Sequence, residues 1–270
     1  MMINIVNEGG GMLYISVISH GHGNIIEELS CLNKLSVYSD ISVTIKDNLG
    51  DKHLYDFCCK NNINYISNFP NKGFGENNNI VFNSIGELNA NDYFVVINPD
   101  VNVSIDTLRD AVLLMKHKNA QLGTINLYRD VSYSIYDNSI RKFPGLIDFV
   151  RSFLGFKNNS IIDKSVIADN QYVDWAAGSF LVFSPGLYKK LGGFNEKYFM
   201  YCEDVDICWR AKELTGKGVL YMPKLKGVHY AQHDNRKFFS KHFLWHSISA
   251  LRFLGYRYGF LTLKSKGGSV

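Results

Sequence analysis

Short apolar runs alternate with amphipathic stretches through the first half of the chain. Leu13-Tyr-Ile-Ser-Val-Ile-Ser19 is apolar and β-prone, and His20-Gly21-His22-Gly23 breaks it. Asn24 can cap a helix running to about Leu35, with Ile25, Ile26, Leu29 and Leu32 on one face. Residues 41–45 read as a second strand ending in Asp47-Asn48, 52–60 as a helix and 63–66 as a short strand. A helix over 76–85, a strand over 93–97, an amphipathic helix over 104–117 and a strand over 122–127 continue the alternation. This rhythm predicts an α/β fold with a mostly parallel sheet covered on both faces.

The rhythm fails between Tyr128 and Tyr172. Residues 143–156 are greasy but short. They suit an acceptor-binding or membrane-facing insertion, or a helix packed on the core. A strand over 180–183 then leads into an acidic region. The opening MMINIVNEGGG is unlike the start of a domain, so 1–11 is expected to be a disordered arm, or translation to begin at Met12. The main domain is expected over 12–234 and a helical extension over 235–270.

A 46% hydrophobic fraction is enough for a sizeable core, and a net charge of +4 is too mild to argue for nucleic acid. The charge is unevenly placed. No acid follows Asp234, whereas Arg236, Lys237, Lys241, Arg252, Arg257, Lys264 and Lys266 do, among Phe238, Phe239, Phe243, Trp245, Phe253, Tyr256, Tyr258 and Phe260. That composition suits an interfacial helix on anionic lipid, or a C-terminal helix packed on the domain. Cys31, Cys58, Cys59, Cys202 and Cys208 are odd in number and form no C-x-x-C pair. A disulfide framework or structural zinc is therefore not expected, and a reducing cytoplasm fits. No apolar run reaches the roughly 18 residues of a spanning helix, and no signal peptide is visible.

Five clusters carry candidate chemistry. Asp47 and Asn48 end a strand, where an acid can hold a ribose or base, or simply close an Asx turn. In Asn71-Lys-Gly73-Phe-Gly75-Glu-Asn77-Asn78-Asn79, two glycines before a helix let the backbone approach a phosphate, or form a plain turn. Asn98-Pro99-Asp100 places two oxygen ligands at alternate positions after a strand, as a cation bridging a diphosphate needs, or as a proline turn provides. Glu203-Asp204-Val205-Asp206 sets three acids between aromatic residues. Crowded acids beside apolar surface raise one another's pKa and can yield a general base. A helix N-terminus also accommodates such charges, with Asp206 pairing Arg210 four residues on. His229 and His233 could complete a metal site.

Taken together, these segments resemble the family-2 glycosyltransferases of GT-A fold, and within them the bacterial O-antigen rhamnosyltransferases. The resemblance spans about Leu13 to His233. The family's nucleotide-binding Asp-Asn falls on Asp47 and Asn48, and its N-x-G-x-G-x-x-x-N segment on Asn71, Gly73, Gly75 and Asn79. Its D-x-D stands as Asn98-Pro99-Asp100. Its G-G-F-D-E-x-F-F-x-Y-x-E-D-x-D segment runs from Gly192 to Asp206. Three positions depart: the first strand ends Ser19-His20-Gly21-His22, Asn98 replaces the first acid of D-x-D, and Asn195 replaces the Asp after Gly-Gly-Phe.

The resemblance implies a Rossmann-like nucleotide-diphospho-sugar transferase with a C-terminal helical extension, acting by inverting transfer. It implies Asp204 as base with Glu203 in support, and Asp100 with His229 on Mg²⁺ or Mn²⁺. Asp47, Asn48, Gly73, Gly75, Asn79 and Asn98 would form the nucleotide-sugar pocket. It further implies dTDP-L-rhamnose as donor, a polyprenyl-diphosphate-linked GlcNAc as acceptor, and a peripheral place on the cytoplasmic face of the bacterial inner membrane. Two alternatives stay open: a UDP-hexose donor, or a degenerate, non-catalytic nucleotide-sugar or lipid-binding subunit.

Overall fold

The computed structural model describes residues 11–67, 71–153, 160–231 and 241–262. β1 (Leu13–Ser19), α1 (Gly23–Leu29), α2 (Cys31–Leu35), β2 (Ile41–Asp47), α3 (Lys52–Lys60) and β3 (Asn64–Ser67) open the chain. α4 (Phe74–Ser84), β4 (Tyr93–Ile97), β5 (Val101–Asn102), α5 (Ile105–His117) and β6 (Leu122–Tyr128) follow. The helix expected over 24–35 is two helices. Ser30 adopts φ 49°, and its hydroxyl and amide both donate to the Glu27 carbonyl, which ends the first helix early. The break lets the second helix bury Cys31, Leu32 and Leu35.

The irregular middle contains β7 (Ile140–Arg141), α6 (Leu146–Phe153), a 3-10 turn (Lys164–Val166), β8 (Gln171–Val173) and β9 (Trp175–Ala176). Then come β10 (Phe180–Phe183), α7 (Pro185–Leu191), α8 (Glu203–Thr215), β11 (Val219–His229) and α9 (Lys241–Arg257).

The main sheet runs β3-β2-β1-β4-β10-β6-β11-β5, with β8 also on β11. Strands β1 to β4 pair in parallel, as do β6 and β11, while β10 is antiparallel to both neighbours. The carboxyl ends of β1, β2, β4, β6 and β11 therefore lie along one edge, where open α/β sheets bind ligands. Central strands are apolar on both faces because both are covered. Val95 and Ile97 of β4 face one core with Val43, Ile45 and Leu108. Phe94 and Val96 face the other with Phe183, Tyr188 and Phe194, as the two-residue strand period requires. Ala250, Phe253, Leu254 and Tyr256 bring α9 into this second core. Phe149 of α6 packs edge-on against Phe253, their ring centres 6.4 Å apart.

Candidate active site

The sheet edge gathers the first group of polar side chains. Asn98 and Asp100 follow the end of β4 at Ile97, and β11 ends at His229. His229 Nε2 lies 3.3 Å from Asp100 Oδ1, and Nδ1 lies 2.9 Å from Asp137 Oδ2. Asn98 Nδ2 is 3.5 Å from Nε2. Burial alone would push the imidazole down, but the bonds to the two carboxylates outweigh it and raise it to about 9. Burial likewise opposes ionisation of Asp100 and Asp137, and the bond to His229 overcomes it, holding both below the usual carboxylate range.

Among the described residues no three His, Cys, Asp or Glu side chains are gathered as a ready metal cluster. The donor chemistry nevertheless fits a divalent cation. Asp100 offers a hard carboxylate oxygen, and His229 offers a ring nitrogen whose other nitrogen is held by a carboxylate. A cation that takes its remaining ligands from a diphosphate and water needs no more from the protein. His233 lies outside the described residues.

Asp47 is buried at the end of β2, with 0% of its surface exposed. Its oxygens accept from the backbone N–H of Leu49 at 3.0 Å and Asp51 at 2.6 Å, and from the Tyr65 hydroxyl at 2.8 Å. It closes the turn that follows β2. Asn48 donates to the Lys72 carbonyl and accepts from Asn77 Nδ2, both at 3.1 Å, so it ties the glycine-rich loop to β2.

The glycines of that loop allow an approach different from the expected one. A Cβ on Gly73 would sit 2.4 Å from the Phe199 carbonyl oxygen, and one on Gly75 would sit 2.7 Å from the Phe194 Cβ. Their lack of side chains lets the 194–203 loop seat on α4, Gly73 against the Phe199 backbone and Gly75 against the Phe194 side chain. Asn77, Asn78 and Asn79 of α4 are buried. Asn78 Oδ1 accepts from Ser16 of β1. Asn79 accepts from the Tyr188 hydroxyl and the Phe194 N–H, and donates to the Phe194 carbonyl and Glu196. With its amide fully engaged by protein partners, Asn79 fixes the Gly192-Gly193-Phe194 turn.

The acidic segment enters α8 through two consecutive non-glycine residues at positive φ, Tyr201 (71°) and Cys202 (62°). Such pairs are costly and persist where surrounding structure holds them, commonly at functional sites. The three acids behind them have separate environments. Asp206 is 0% exposed and pairs with Arg210 at 2.7 Å, while Arg210 donates to the Leu191 and Gly193 carbonyls. It is structural, as the i,i+4 spacing suggested. Asp204 is half-buried, and its Oδ2 accepts from the Gly178 N–H at 3.1 Å. Burial raises its pKa; the backbone donors of Gly178 and Val205, and the charge of Arg141, act the other way. The next residue, Ser179, accepts the Asn98 N–H at 3.0 Å. The dipeptide Gly178-Ser179 thus links the acidic helix to the β4 edge.

Glu203 is buried, and its Oε2 has no hydrogen-bond partner among the described residues. Burial, and then the charge of Asp204, push it up to about 8. Between its ordinary 4.5 and about 8 the folded chain holds this proton more than the unfolded chain does, so stability falls as pH rises through that window. Glu203→Gln removes the dependence. The unfolding midpoints of variant and wild type are expected to be similar near pH 4.5, with the variant gaining as pH rises toward 8. Thermal melts across this range test it, and a pH-independent difference sinks it.

No family model matches the chain. It is 38% identical over 248 residues to rhamnosyltransferase WbbL of Escherichia coli, covering 90% of this chain and 92% of the relative. The chain belongs to the family-2 glycosyltransferases, in their rhamnosyltransferase branch. A second relative, the N-acetylglucosaminyl-diphospho-decaprenol L-rhamnosyltransferase of Mycobacterium tuberculosis, is 27% identical over 266 residues, with coverage of 92% and 85%. Among solved structures, a Pyrobaculum calidifontis mannosyltransferase in complex with GDP-Man and Mn²⁺ superposes with a TM-score of 0.59 at 14% identity, covering 91% of this chain and 65% of that one. It shares the GT-A fold, and the mostly parallel curled sheet is that of this transferase class.

Sequence reasoning missed three residues of this glycosyltransferase site: Asp137, Arg129 and Gly178. Asp137 and Arg129 fall where the element rhythm fails, and no spacing rule connects Asp137 with a histidine 92 positions away. Gly178 just before a strand was the readable signal, since a glycine there often marks close backbone approach. Its own Cβ would meet the Phe74 ring at 3.0 Å.

Proposed function

We propose that this glycosyltransferase moves L-rhamnose from dTDP-L-rhamnose to GlcNAc-diphospho-undecaprenol, with inversion, in O-antigen or related surface-polysaccharide assembly. The observation that carries the reading is the Gly178-Ser179 link. It binds a raised-pKa carboxylate, Asp204, and a cation-competent pair, Asp100 and His229, into one site at the carboxyl edge of the sheet. The identity to WbbL and the activity for which the mycobacterial relative is named support the sugar and the lipid-diphosphate acceptor.

Asp204 accepts the proton of the acceptor hydroxyl as its oxygen bonds to the anomeric carbon and the bond to the diphosphate breaks on the opposite face. The Gly178 N–H holds this carboxylate in place, and Glu203 keeps the surroundings poorly solvated. Asp100 and His229, with Asn98 beside them, would hold Mg²⁺ or Mn²⁺ on the diphosphate. When bound, such a cation neutralises charge on the leaving group as a Lewis acid. Asp47, Asn48, Gly73 and Gly75 shape the nucleoside side through the turn and loop they fix.

The direct test is mass spectrometry of a GlcNAc-diphosphate-lipid incubated with the protein, Mg²⁺ and dTDP-L-rhamnose. A gain of one deoxyhexose, abolished by chelator and restored by Mn²⁺, is expected. A gain only with UDP-hexose would replace the donor, and nucleotide binding without transfer to any acceptor would favour a degenerate binder.

Such an acceptor would be met at a membrane, and we propose that the protein works on its cytoplasmic face. No described helix is long and apolar enough to cross one. α9 instead leaves Leu244, Ile248 and Leu251 exposed at helical spacing on one face. Leu146 and Ile147 of the adjoining α6 are exposed as well, and Phe260 is 83% exposed. Arg252 and Arg257 supply positive charge nearby, suiting anionic headgroups; Arg236, Lys237, Lys264 and Lys266 lie outside the described residues. Deleting α9 would uncover the core it closes, so outward substitutions make the cleaner probe. The double variant L244E/L251E is expected to lose sedimentation with phosphatidylglycerol vesicles while keeping its thermal midpoint. Unchanged sedimentation would remove the membrane from the proposal.

A further inference from the structure

We infer that Asp137 is the positioning residue of the cation site, holding the His229 ring so that Nε2 rather than Nδ1 faces Asp100. This rests on the reading that Asp100 and His229 hold the cation. An imidazole on two rotatable bonds presents a chosen nitrogen only if something engages the other. Here Asp137 Oδ2 takes Nδ1 at 2.9 Å, and the His229 side chain is only 14% exposed.

The chain builds a small structure to deliver that carboxylate. After β6 it leaves the sheet and returns: Arg129 N–H donates to the Ile135 carbonyl at 2.9 Å, and Tyr128 bridges Tyr136. Asp130 closes this excursion by accepting from the N–H groups of Ser134 and Ile135. The Asp137 N–H then donates to the Leu127 carbonyl at 3.0 Å, laying Asp137 against the end of β6. Because β6 and β11 pair in parallel with Tyr128 opposite Val228, this position is beside His229.

The carboxylate also has cations near it. Arg129 Nε lies 3.7 Å from its Oδ1. The ammonium of Lys164, buried on Ser139 Oγ at 2.8 Å and the Leu127 carbonyl at 3.2 Å, adds positive charge on the same side. Arg129 and Lys164, from separate elements, thus flank the carboxylate that engages Nδ1.

The test is Mn²⁺ binding by the purified full chain in the presence of dTDP, followed by electron paramagnetic resonance. Asp137→Ala is expected to weaken Mn²⁺ affinity by about 10–100-fold, and Asp137→Asn, which keeps an acceptor oxygen, to recover part of the loss. Wild-type affinity in Asp137→Ala, with His229→Ala weakened, overturns the inference and leaves the cation reading standing. Wild-type affinity in both His229→Ala and Asp100→Ala overturns the cation reading and the inference with it. A second measurement needs no variant, so it decides even if Asp137→Ala does not fold. In nitrogen-15 spectra of the Mg²⁺- and dTDP-loaded wild type, the His229 proton should reside on Nδ1; a proton on Nε2 overturns the assignment.

Discussion

Asp204→Asn is expected to lower kcat by roughly 10²–10⁴-fold, the usual contribution of a positioned general base, while donor nucleotide affinity stays near the wild-type value. The substitution is nearly isosteric. The amide oxygen can still accept the Gly178 N–H that Asp204 Oδ2 accepts now at 3.1 Å, so the loop and the β4 edge should remain in register. What disappears is the basic oxygen. Single-turnover assays with saturating donor and lipid acceptor measure the chemical step, and calorimetry with dTDP measures binding. A variant that turns over at the wild-type rate ends the assignment of Asp204 as base. Equal losses of rate and nucleotide affinity would instead mean that the residue shapes the donor pocket.

Asp206→Ala should be the most damaging single change to stability among the acids of α8, although this residue touches no substrate. Asp206 is fully buried, and its partner Arg210 is only 10% exposed. Removing one member of such a pair leaves a buried charge uncompensated, at about 3–5 kcal/mol. For a chain of this size that corresponds to a fall in the melting midpoint of roughly 10 °C. The Arg210 bonds to the Leu191 and Gly193 carbonyls would also loosen, freeing the turn that Asn79 clamps. Calorimetric melts decide: a loss below about 2 °C would mean the pair is dispensable. Replacing both partners with apolar residues of similar volume should restore much of the loss, because the stranded charge is then gone.

The contrast between Asp204 and Asp206 marks what the sequence could convey. Position within the acidic segment was legible, and so was the i,i+4 pairing of Asp206 with Arg210. Which carboxylate faces the reaction depends on the rotation of α8, and that is fixed by the left-handed Tyr201-Cys202 entrance, which no local rule anticipates. Strands β1, β4 and β10 and helix α3 fell where apolar periodicity placed them. β11 did not, because Pro223 interrupts the strand pattern and shifts its register on β6 between Met222 and Lys226. α7 had a readable start, Ser184 as cap and Pro185 in the first turn, within a segment whose acids drew the attention. The glycines of the 71–79 loop were read as points where the backbone could approach a phosphate. The close approaches the structure shows there are to the Phe199 backbone at Gly73 and the Phe194 side chain at Gly75, and long-range partners of that kind leave no trace in local spacing.

Gly178 and Ser179 are consecutive, so in the proposed mechanism one peptide unit joins the oxygen that takes the proton to the strand that ends at the leaving group. The two ends of the reaction coordinate therefore share a single mechanical datum. A redesign that widens the donor end to admit a bulkier sugar by displacing β4 would drag the base along with it. New donor specificity in this scaffold is better sought on walls that do not bear on that peptide, where the sugar's contour can change while the distance from base to leaving group does not.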